Sequence, residues 1–277
     1  MDPYIIHNLF GIDGFNIAWY GVIIGLGMVI SVWVAAWRAK RAGYKSDLII
    51  DFVLFAIPIA VICARIYYVI FEWDYYKTDL IRIFATREGG LAIYGGVIGG
   101  IATAIVFSRI RKFPLLKLLD FAMPSLLLGQ IIGRWGNFMN QEAFGNLITN
   151  PKLQFFPYGV YIDSLQEWHQ ATFFYESAAN LILFIIMMVV ARKVKKDGWM
   201  TVLYLVGYGF IRCIIEGFRA DSLYLMPGVR VSQLLSAILM GIGLGIAWGI
   251  HTGRLRSRKY DGIYLPDEGT STEVEER

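Results

Sequence analysis

Apolar residues run along the chain in stretches that are long enough to cross a bilayer, with short polar segments between them. A membrane-spanning helix needs about 20 mostly apolar residues. Seven stretches meet that requirement: 17–37, 48–71, 90–108, 115–133, 171–191, 199–217 and 231–250. Pro58 and Pro124 interrupt two of them, which is tolerated where neighbouring helices satisfy the freed carbonyl. The pattern predicts an all-α integral membrane protein with seven transmembrane helices.

Basic residues are concentrated in every second loop. Four follow each of the first, third, fifth and seventh stretches: Arg38, Lys40, Arg41, Lys45; Arg109, Arg111, Lys112, Lys117; Arg192, Lys193, Lys195, Lys196; Arg254, Arg256, Arg258, Lys259. Cytoplasmic loops carry such an excess, so we expect the N-terminus outside and the C-terminus in the cytoplasm. The predicted organisation is a membrane domain over residues 1–260, with external loops 72–88 and 134–170. A polar, acidic and disordered cytoplasmic tail is expected over 261–277.

The composition excludes the soluble classes. Apolar residues make up 56% and charged residues 17% of the 277 residues, and the mean hydropathy is +0.52. One water-soluble core cannot bury that much apolar surface, and disorder, coiled coil and collagen are excluded by the same numbers.

The net charge of +4 is too modest to indicate a nucleic-acid partner. Cys63 and Cys213 lie in apolar runs, where we expect buried thiols. The sequence predicts neither a metal nor a cofactor. The first eighteen residues hold no Lys or Arg, so no cleavable signal peptide is expected.

Charged side chains inside a predicted span are costly and indicate a functional site. Tyr208, Arg212, Glu216 and Arg219 follow one another at helical spacing in and just beyond the sixth span, and therefore share one face. Arginine exceeds carboxylate on this face, which favours an absent anion, and the planar guanidinium suits phosphate. The alternative is an Arg212–Glu216 ion pair that only holds helices together.

A second polar cluster, GRWGNFMNQEAFG at 133–145, lies just beyond the fourth span. Arg134 can clamp a phosphate, and Asn137 and Asn140 can supply neutral donors. Glu142 can accept a proton or orient the arginine. The alternative is a capped turn at the membrane surface.

Six glycines fall within residues 88–100 and allow a helix or a lipid headgroup to approach the backbone closely. Packing alone explains these glycines at least as well as function does, and Tyr94 is the one polar side chain at the heart of the run. Tyr20 stands at the external edge of the first span, where an interfacial aromatic belt is the alternative interpretation. His169 is expected to be a solvated loop residue, and Arg65 is expected either to support the site or to snorkel to the interface.

The segment 133–145 resembles the signature of the prolipoprotein diacylglyceryl transferases, in the pattern GRxGNFxNxExxG. Three further segments are similar to motifs of that family in order and spacing: GGLAIYGG at 89–96, TFFYE at 172–176 and YGxxRxxxExxR at 208–219. The resemblance covers nearly the whole chain apart from the tail. It implies the same seven-span topology with the N-terminus outside.

Two positions depart from the family pattern. Many members have histidine where this chain has Tyr94, and a phenol with a pKa near ~10 is a poor base at neutral pH. Gln170 occupies the position of the histidine that usually opens the fifth-span motif, and His169 lies one residue earlier. The identity of the general base is left open by these departures.

The family moves a diacylglyceryl group from phosphatidylglycerol to the thiol of a lipobox cysteine in a prolipoprotein, which is the first step of bacterial lipoprotein maturation. The products are a thioether and glycerol phosphate. The resemblance implies a multi-pass protein of the bacterial cytoplasmic (inner) membrane, with its active site towards the external face. The implied catalytic residues are Arg134, Arg212, Glu142, Glu216 and Tyr94. The implied phosphatidylglycerol-binding residues are Arg134, Asn137, Asn140, Gly145, Tyr20, Tyr208 and Arg219.

A transporter or flippase for an anionic solute or lipid is the rival interpretation. Membrane-embedded arginines and glycine-broken helices favour it. The absence of an internal repeat and of a polar path on the cytoplasmic side argues against it. A purely structural scaffold would leave the surplus of arginine unexplained.

Overall fold

The computed structural model describes residues 2–86, 89–219, 224–226, 229–255 and 259–266. The chain divides into two compact units. Unit 1 comprises Met1–Val34 and Asp120–Arg256, and unit 2 comprises Ala35–Leu119 and Ser257–Arg277.

The described residues contain eight α-helices: α1 (Trp19–Arg41), α2 (Asp47–Phe71), α3 (Trp73–Tyr76), α4 (Ile93–Ile110), α5 (Leu115–Met139), α6 (Thr172–Val190), α7 (Trp199–Phe218) and α8 (Val231–His251). All except the short α3 are long and apolar enough to cross a membrane, which confirms the seven predicted spans. The fourth helix ends later than predicted. Arg134 and Asn137 therefore belong to the last turns of α5 rather than to a loop.

Short strands precede α1, and others lie in the connections between later long helices. They form three antiparallel pairs within the described residues: β1 (Tyr4–Ile6) with β2 (Ile17–Ala18), β3 (Gly159–Ile162) with β4 (Glu167–Gln170), and β5 (Tyr224–Met226) with β6 (Val229–Arg230). The β3–β4 hairpin pairs Val160 with His169. It gives a defined structure to the end of the predicted loop 134–170.

Unit 1 is held together by a core between α5, α6 and α7. The buried side chains of this core are Leu127, Ile131, Leu183, Met187, Met200 and Tyr204. Asp120 fixes the start of α7 to α5, because its carboxylate accepts hydrogen bonds from Gly198 N (2.6 Å) and from Thr201 N and Oγ1 (both 2.9 Å). These bonds satisfy backbone N–H groups that have no partner within the helix.

In unit 2, glycines let α4 lie directly against α2. A β-carbon at Gly95 would collide with the Cys63 carbonyl, and one at Gly99 would lie 2.9 Å from the Cys63 β-carbon. These glycines are therefore required by packing. Cys63 and Cys213 are both free thiols, and both are half-buried rather than buried as predicted.

Arg65 fastens the connection between α2 and α4. Its guanidinium donates to four backbone carbonyls: Arg82 (2.6 Å), Ile83 (2.8 Å), Gly89 (2.8 Å) and Gly90 (2.9 Å). It also lies 5.1 Å over the ring of Tyr76, and Arg65 is only 6% exposed. Arg65 therefore supports the fold, and it does not snorkel.

The start of the predicted tail is packed in unit 2. Tyr264 is buried, its hydroxyl donates to Asp51 Oδ2 at 2.8 Å, and its carbonyl accepts from Lys45 N at 2.7 Å. The expectation of disorder is thus wrong for residues 261–266, because Tyr264 and the preceding Tyr260 provide apolar rings for burial. Residues 267–277 lie outside the described residues.

We predict that Arg65→Lys destabilises the protein by about 2–4 kcal/mol, because a single ammonium cannot reproduce four hydrogen bonds from a planar fork. Thermal unfolding in detergent measures the change. Arg82→Lys is the matched control, since it keeps the Arg82 carbonyl and alters a half-exposed side chain. We expect it to change stability by less than about 1 kcal/mol. Equal melting temperatures for the two variants would contradict this role of Arg65.

Candidate functional site

One buried carboxylate joins arginines from two other helices. Glu176 on α6 accepts from Arg134 Nη2 on α5 at 2.7 Å through Oε1, and from Arg212 Nη1 on α7 at 2.9 Å through Oε2. The Glu176 side chain is 2% exposed. The two guanidinium groups, which the sequence places 78 residues apart, are therefore close enough to share a single anion.

Arg212 has a second carboxylate partner. Its Nη2 atom lies 2.8 Å from Glu216 Oε2, one helical turn further along α7. The predicted ion pair is thus present, but it is one part of a larger network. Both carboxylates are more deeply buried than the guanidinium groups, whose side chains are 19% exposed for Arg134 and 14% for Arg212. The arginines are consequently the accessible members of the network.

The network continues from Arg134 towards the surface. Arg134 Nη1 lies 3.4 Å from Asn137 Oδ1, and Asn137 Nδ2 donates to Glu142 Oε1 at 2.8 Å. Glu142 is exposed. The extension of α5 makes this possible, because Arg134 and Asn137 are three residues apart on one helix and therefore neighbours on its surface.

Two of the predicted tyrosines border the arginines. The Tyr208 hydroxyl lies beside Arg134 and Glu176, and its ring stacks on Tyr204 with 5.3 Å between centroids. The Tyr20 ring packs on Gly136, where a β-carbon would lie 2.9 Å from the ring. Gly136 thus allows Tyr20 on α1 to lie close to the helix that carries Arg134.

Gly145 is a packing junction. It pairs with Arg219 in a β-bridge, and its N–H donates to the Gln170 carbonyl at 2.9 Å. His169, which was predicted to be solvated, is buried, and its Nδ1 lies 2.9 Å from the Gly145 carbonyl oxygen. A β-carbon at Gly145 would lie 2.8 to 2.9 Å from atoms of Gln170, Thr172 and Phe218.

Asn140 does not join the ion network within the described residues, and Tyr94 is described by its own unit. Asn140 is exposed, and its backbone N–H donates to Gly136 O at 3.1 Å. Tyr94 belongs to unit 2, where it lies in the first turn of α4, half-buried, with its ring 6.3 Å from that of Tyr67.

Glu176 is the member of the ion network that the sequence analysis does not single out. It belongs to the TFFYE motif at 172–176. The signal was available, because Glu176 is the only charged residue within the predicted span 171–191, and such a charge requires a partner. The partner residues could not be assigned, because they lie on two other helices.

Comparison with known proteins identifies close relatives over most of the chain. A family profile described as prolipoprotein diacylglyceryl transferase matches residues 7–249. A phosphatidylglycerol–prolipoprotein diacylglyceryl transferase from Bacillus velezensis is 42% identical over 85% of this chain and 88% of its own length. Proteins of the same name from Geobacillus kaustophilus (44% identical; 83% and 87% covered) and Listeria monocytogenes (43%; 89% and 88%) are similarly close.

We predict that Gly145→Ala lowers the free energy of unfolding by about 1–3 kcal/mol, because the added methyl group overlaps the backbone carbonyl of Phe218 and two side chains. Thermal unfolding measures the loss. Gly217→Ala is the control, since a β-carbon there meets nothing within 4 Å. In a helix it should be neutral or stabilising by up to about 1 kcal/mol. A Gly145→Ala protein of normal stability would contradict the packing role.

Proposed function

The chain belongs to the prolipoprotein diacylglyceryl transferase family, and from this premise we propose that it transfers the diacylglyceryl group of phosphatidylglycerol to the lipobox cysteine of a prolipoprotein. The transfer forms a thioether, releases glycerol phosphate and is the first step of lipoprotein maturation. The observation that carries the chemistry is the sharing of Glu176 by Arg134 and Arg212.

The shared carboxylate supports a phosphate site at the two arginines. A phosphodiester resembles a carboxylate in presenting two oxygens that share one negative charge, and guanidinium forks match both groups. Arg134 and Arg212 already bind one carboxylate together, and their side chains are more exposed than that of Glu176. An incoming headgroup would meet two guanidinium groups that are already oriented, because Arg212 is also paired with Glu216.

The reaction places its negative charge where the arginines are. The substrate thiolate attacks the glyceryl carbon, and the new S–C bond forms as the C–O bond to phosphate breaks. The bonding electron pair leaves with the phosphate oxygen of glycerol phosphate. Charge therefore grows on the leaving group, where preorganised cationic donors lower the barrier. The nucleophile comes from the prolipoprotein, so neither Cys63 nor Cys213 is required.

The thiol proton needs an acceptor of modest strength. A free thiol has a pKa of about 8.5, and neighbouring arginines lower it. Glu142 is the exposed carboxylate at the end of the network and is our candidate acceptor. Tyr94 is the alternative, because it occupies the position where many members of the resembling family have histidine.

The remaining predicted residues are assigned to substrate positioning. We assign the binding of the glycerol oxygens to four residues: Asn137, Asn140, Tyr20 and Tyr208. We assign Arg219 to the entrance of the site, where it attracts the anionic headgroup. Gly145 acts through packing, by joining the loop after α5 to β4 and to the end of α7.

The proposed setting is the bacterial cytoplasmic membrane, with the N-terminus outside, the C-terminus in the cytoplasm and the active site towards the external face. The distribution of Lys and Arg supports this orientation. Arg134 and Asn137 then lie at the external end of α5, and Glu142 follows just beyond that end. That depth suits the headgroup of a lipid in the outer leaflet.

The proposal is tested with purified protein, phosphatidylglycerol and a lipobox peptide. Mass spectrometry should detect a peptide that has gained one diacylglyceryl group, with release of glycerol phosphate. A flippase would instead move lipid between leaflets without any change of bonds. Lipid movement with an unmodified peptide would overturn the proposal.

We predict that Arg134→Ala and Arg212→Lys each lose at least 100-fold in transfer rate. Alanine removes the cation from the leaving phosphate, and the point charge of lysine cannot replace a guanidinium fork. The same peptide assay measures the rate. The double variant Cys63→Ser/Cys213→Ser is the control and should retain wild-type activity. Near-normal transfer by Arg134→Ala would refute the phosphate assignment, and an inactive double variant would refute the passive role of the protein's own thiols.

A further inference from the structure

Asn180 carries a fully buried amide without a hydrogen-bond partner. It lies on the buried face of α6 and is 0% exposed. Within the part of the chain that the structure describes, neither its Oδ1 nor its Nδ2 makes a hydrogen bond. Burying such a group unpaired is costly, and native structures rarely retain one without a reason.

The position of Asn180 relates it to the ion network. It follows Glu176 by one helical turn, so that the two side chains leave α6 on the same face. Glu176 uses one oxygen for Arg134 and the other for Arg212. A donor one turn away on α6 is therefore placed to reach this carboxylate. In the structure, however, both carboxylate oxygens already accept hydrogen bonds from the arginines.

Binding of a phosphodiester changes the requirements of Glu176. The headgroup competes for the same guanidinium groups, since it offers an anion to the donors that Glu176 now occupies. A buried carboxylate that loses a cationic partner is strongly destabilised unless another donor replaces the lost bond. The two N–H groups of the Asn180 amide are unpaired within the described residues, and Asn180 lies one helical turn from Glu176 on α6.

We propose that Asn180 is a positioning residue that takes over the Glu176 carboxylate when phosphatidylglycerol engages Arg134 or Arg212. Its amide is unpaired in the free protein because its partner becomes available only in the lipid complex. This inference rests on the proposed function. It adds a residue that touches neither lipid nor peptide and acts only through Glu176.

The proposal predicts that Asn180 contributes to the binding of phosphatidylglycerol but not to the stability of the free protein. Asn180→Leu is close in size and removes no hydrogen bond from the free protein, so its melting temperature should stay equal or rise. Its dissociation constant for a short-chain phosphatidylglycerol should increase about tenfold or more, because a hydrogen bond to a charged group is lost in the complex. KM for phosphatidylglycerol should rise while kcat changes little.

Ser177→Ala is the matched control on the same helix. The Ser177 hydroxyl donates to the Ile131 carbonyl at 3.0 Å in the free protein, so its loss should lower stability and leave lipid affinity unchanged. Asn180→Ala serves in the same test if the leucine variant does not fold. In a Glu176→Gln background, Asn180→Leu should change lipid affinity less than about threefold.

The experiment separates the inference from the proposed function. Wild-type protein that does not lipidate the lipobox peptide would overturn the function. If the wild type transfers normally but Asn180→Leu and Asn180→Ala bind phosphatidylglycerol as wild type does, only the role of Asn180 is overturned. A loss of the same size with and without the Glu176 carboxylate would show that Asn180 does not act through Glu176.

Discussion

The interaction on which the site depends is the pairing of one buried carboxylate with two guanidinium groups. Ions removed from water are stable only when they are paired closely and their remaining hydrogen bonds are satisfied. Glu176 meets this condition through Arg134 and Arg212, which lie on the two helices that pack beside α6. The ion network therefore fixes the relative position of α5, α6 and α7 at the depth where the chemistry is proposed.

Electroneutrality shapes how this site can bind an anion. Arg134 and Arg212 are balanced by Glu176 and Glu216 within the network, so an added phosphodiester brings one uncompensated negative charge. Under the proposed function, binding is an exchange in which the lipid takes guanidinium donors that a carboxylate held before. Release of glycerol phosphate reverses the exchange and restores the original pairs. A network of this kind orients the arginines before the substrate arrives, which is the condition for effective electrostatic catalysis.

The sequence determined the helices well, because runs of about 20 apolar residues have few alternatives in a membrane protein. It also placed Tyr208, Arg212 and Glu216 on one helix face, since their spacing is local. It did not reveal that Glu176 bridges α5 and α7, that His169 is buried against Gly145, or that Tyr264 packs near Asp51. Each of these contacts joins residues that are distant in the chain, and residue type alone does not specify which partners meet.

The account is tested most directly by a structure of the protein with phosphatidylglycerol bound, in which the lipid phosphorus is located relative to the arginine side chains. We predict that the phosphorus lies about 4–5 Å from the Cζ atoms of both Arg134 and Arg212, as expected for hydrogen-bonded guanidinium and phosphate groups. At least one bond between these arginines and Glu176 should be lengthened or broken. A headgroup bound elsewhere, with both Glu176 bonds unchanged, would contradict the account.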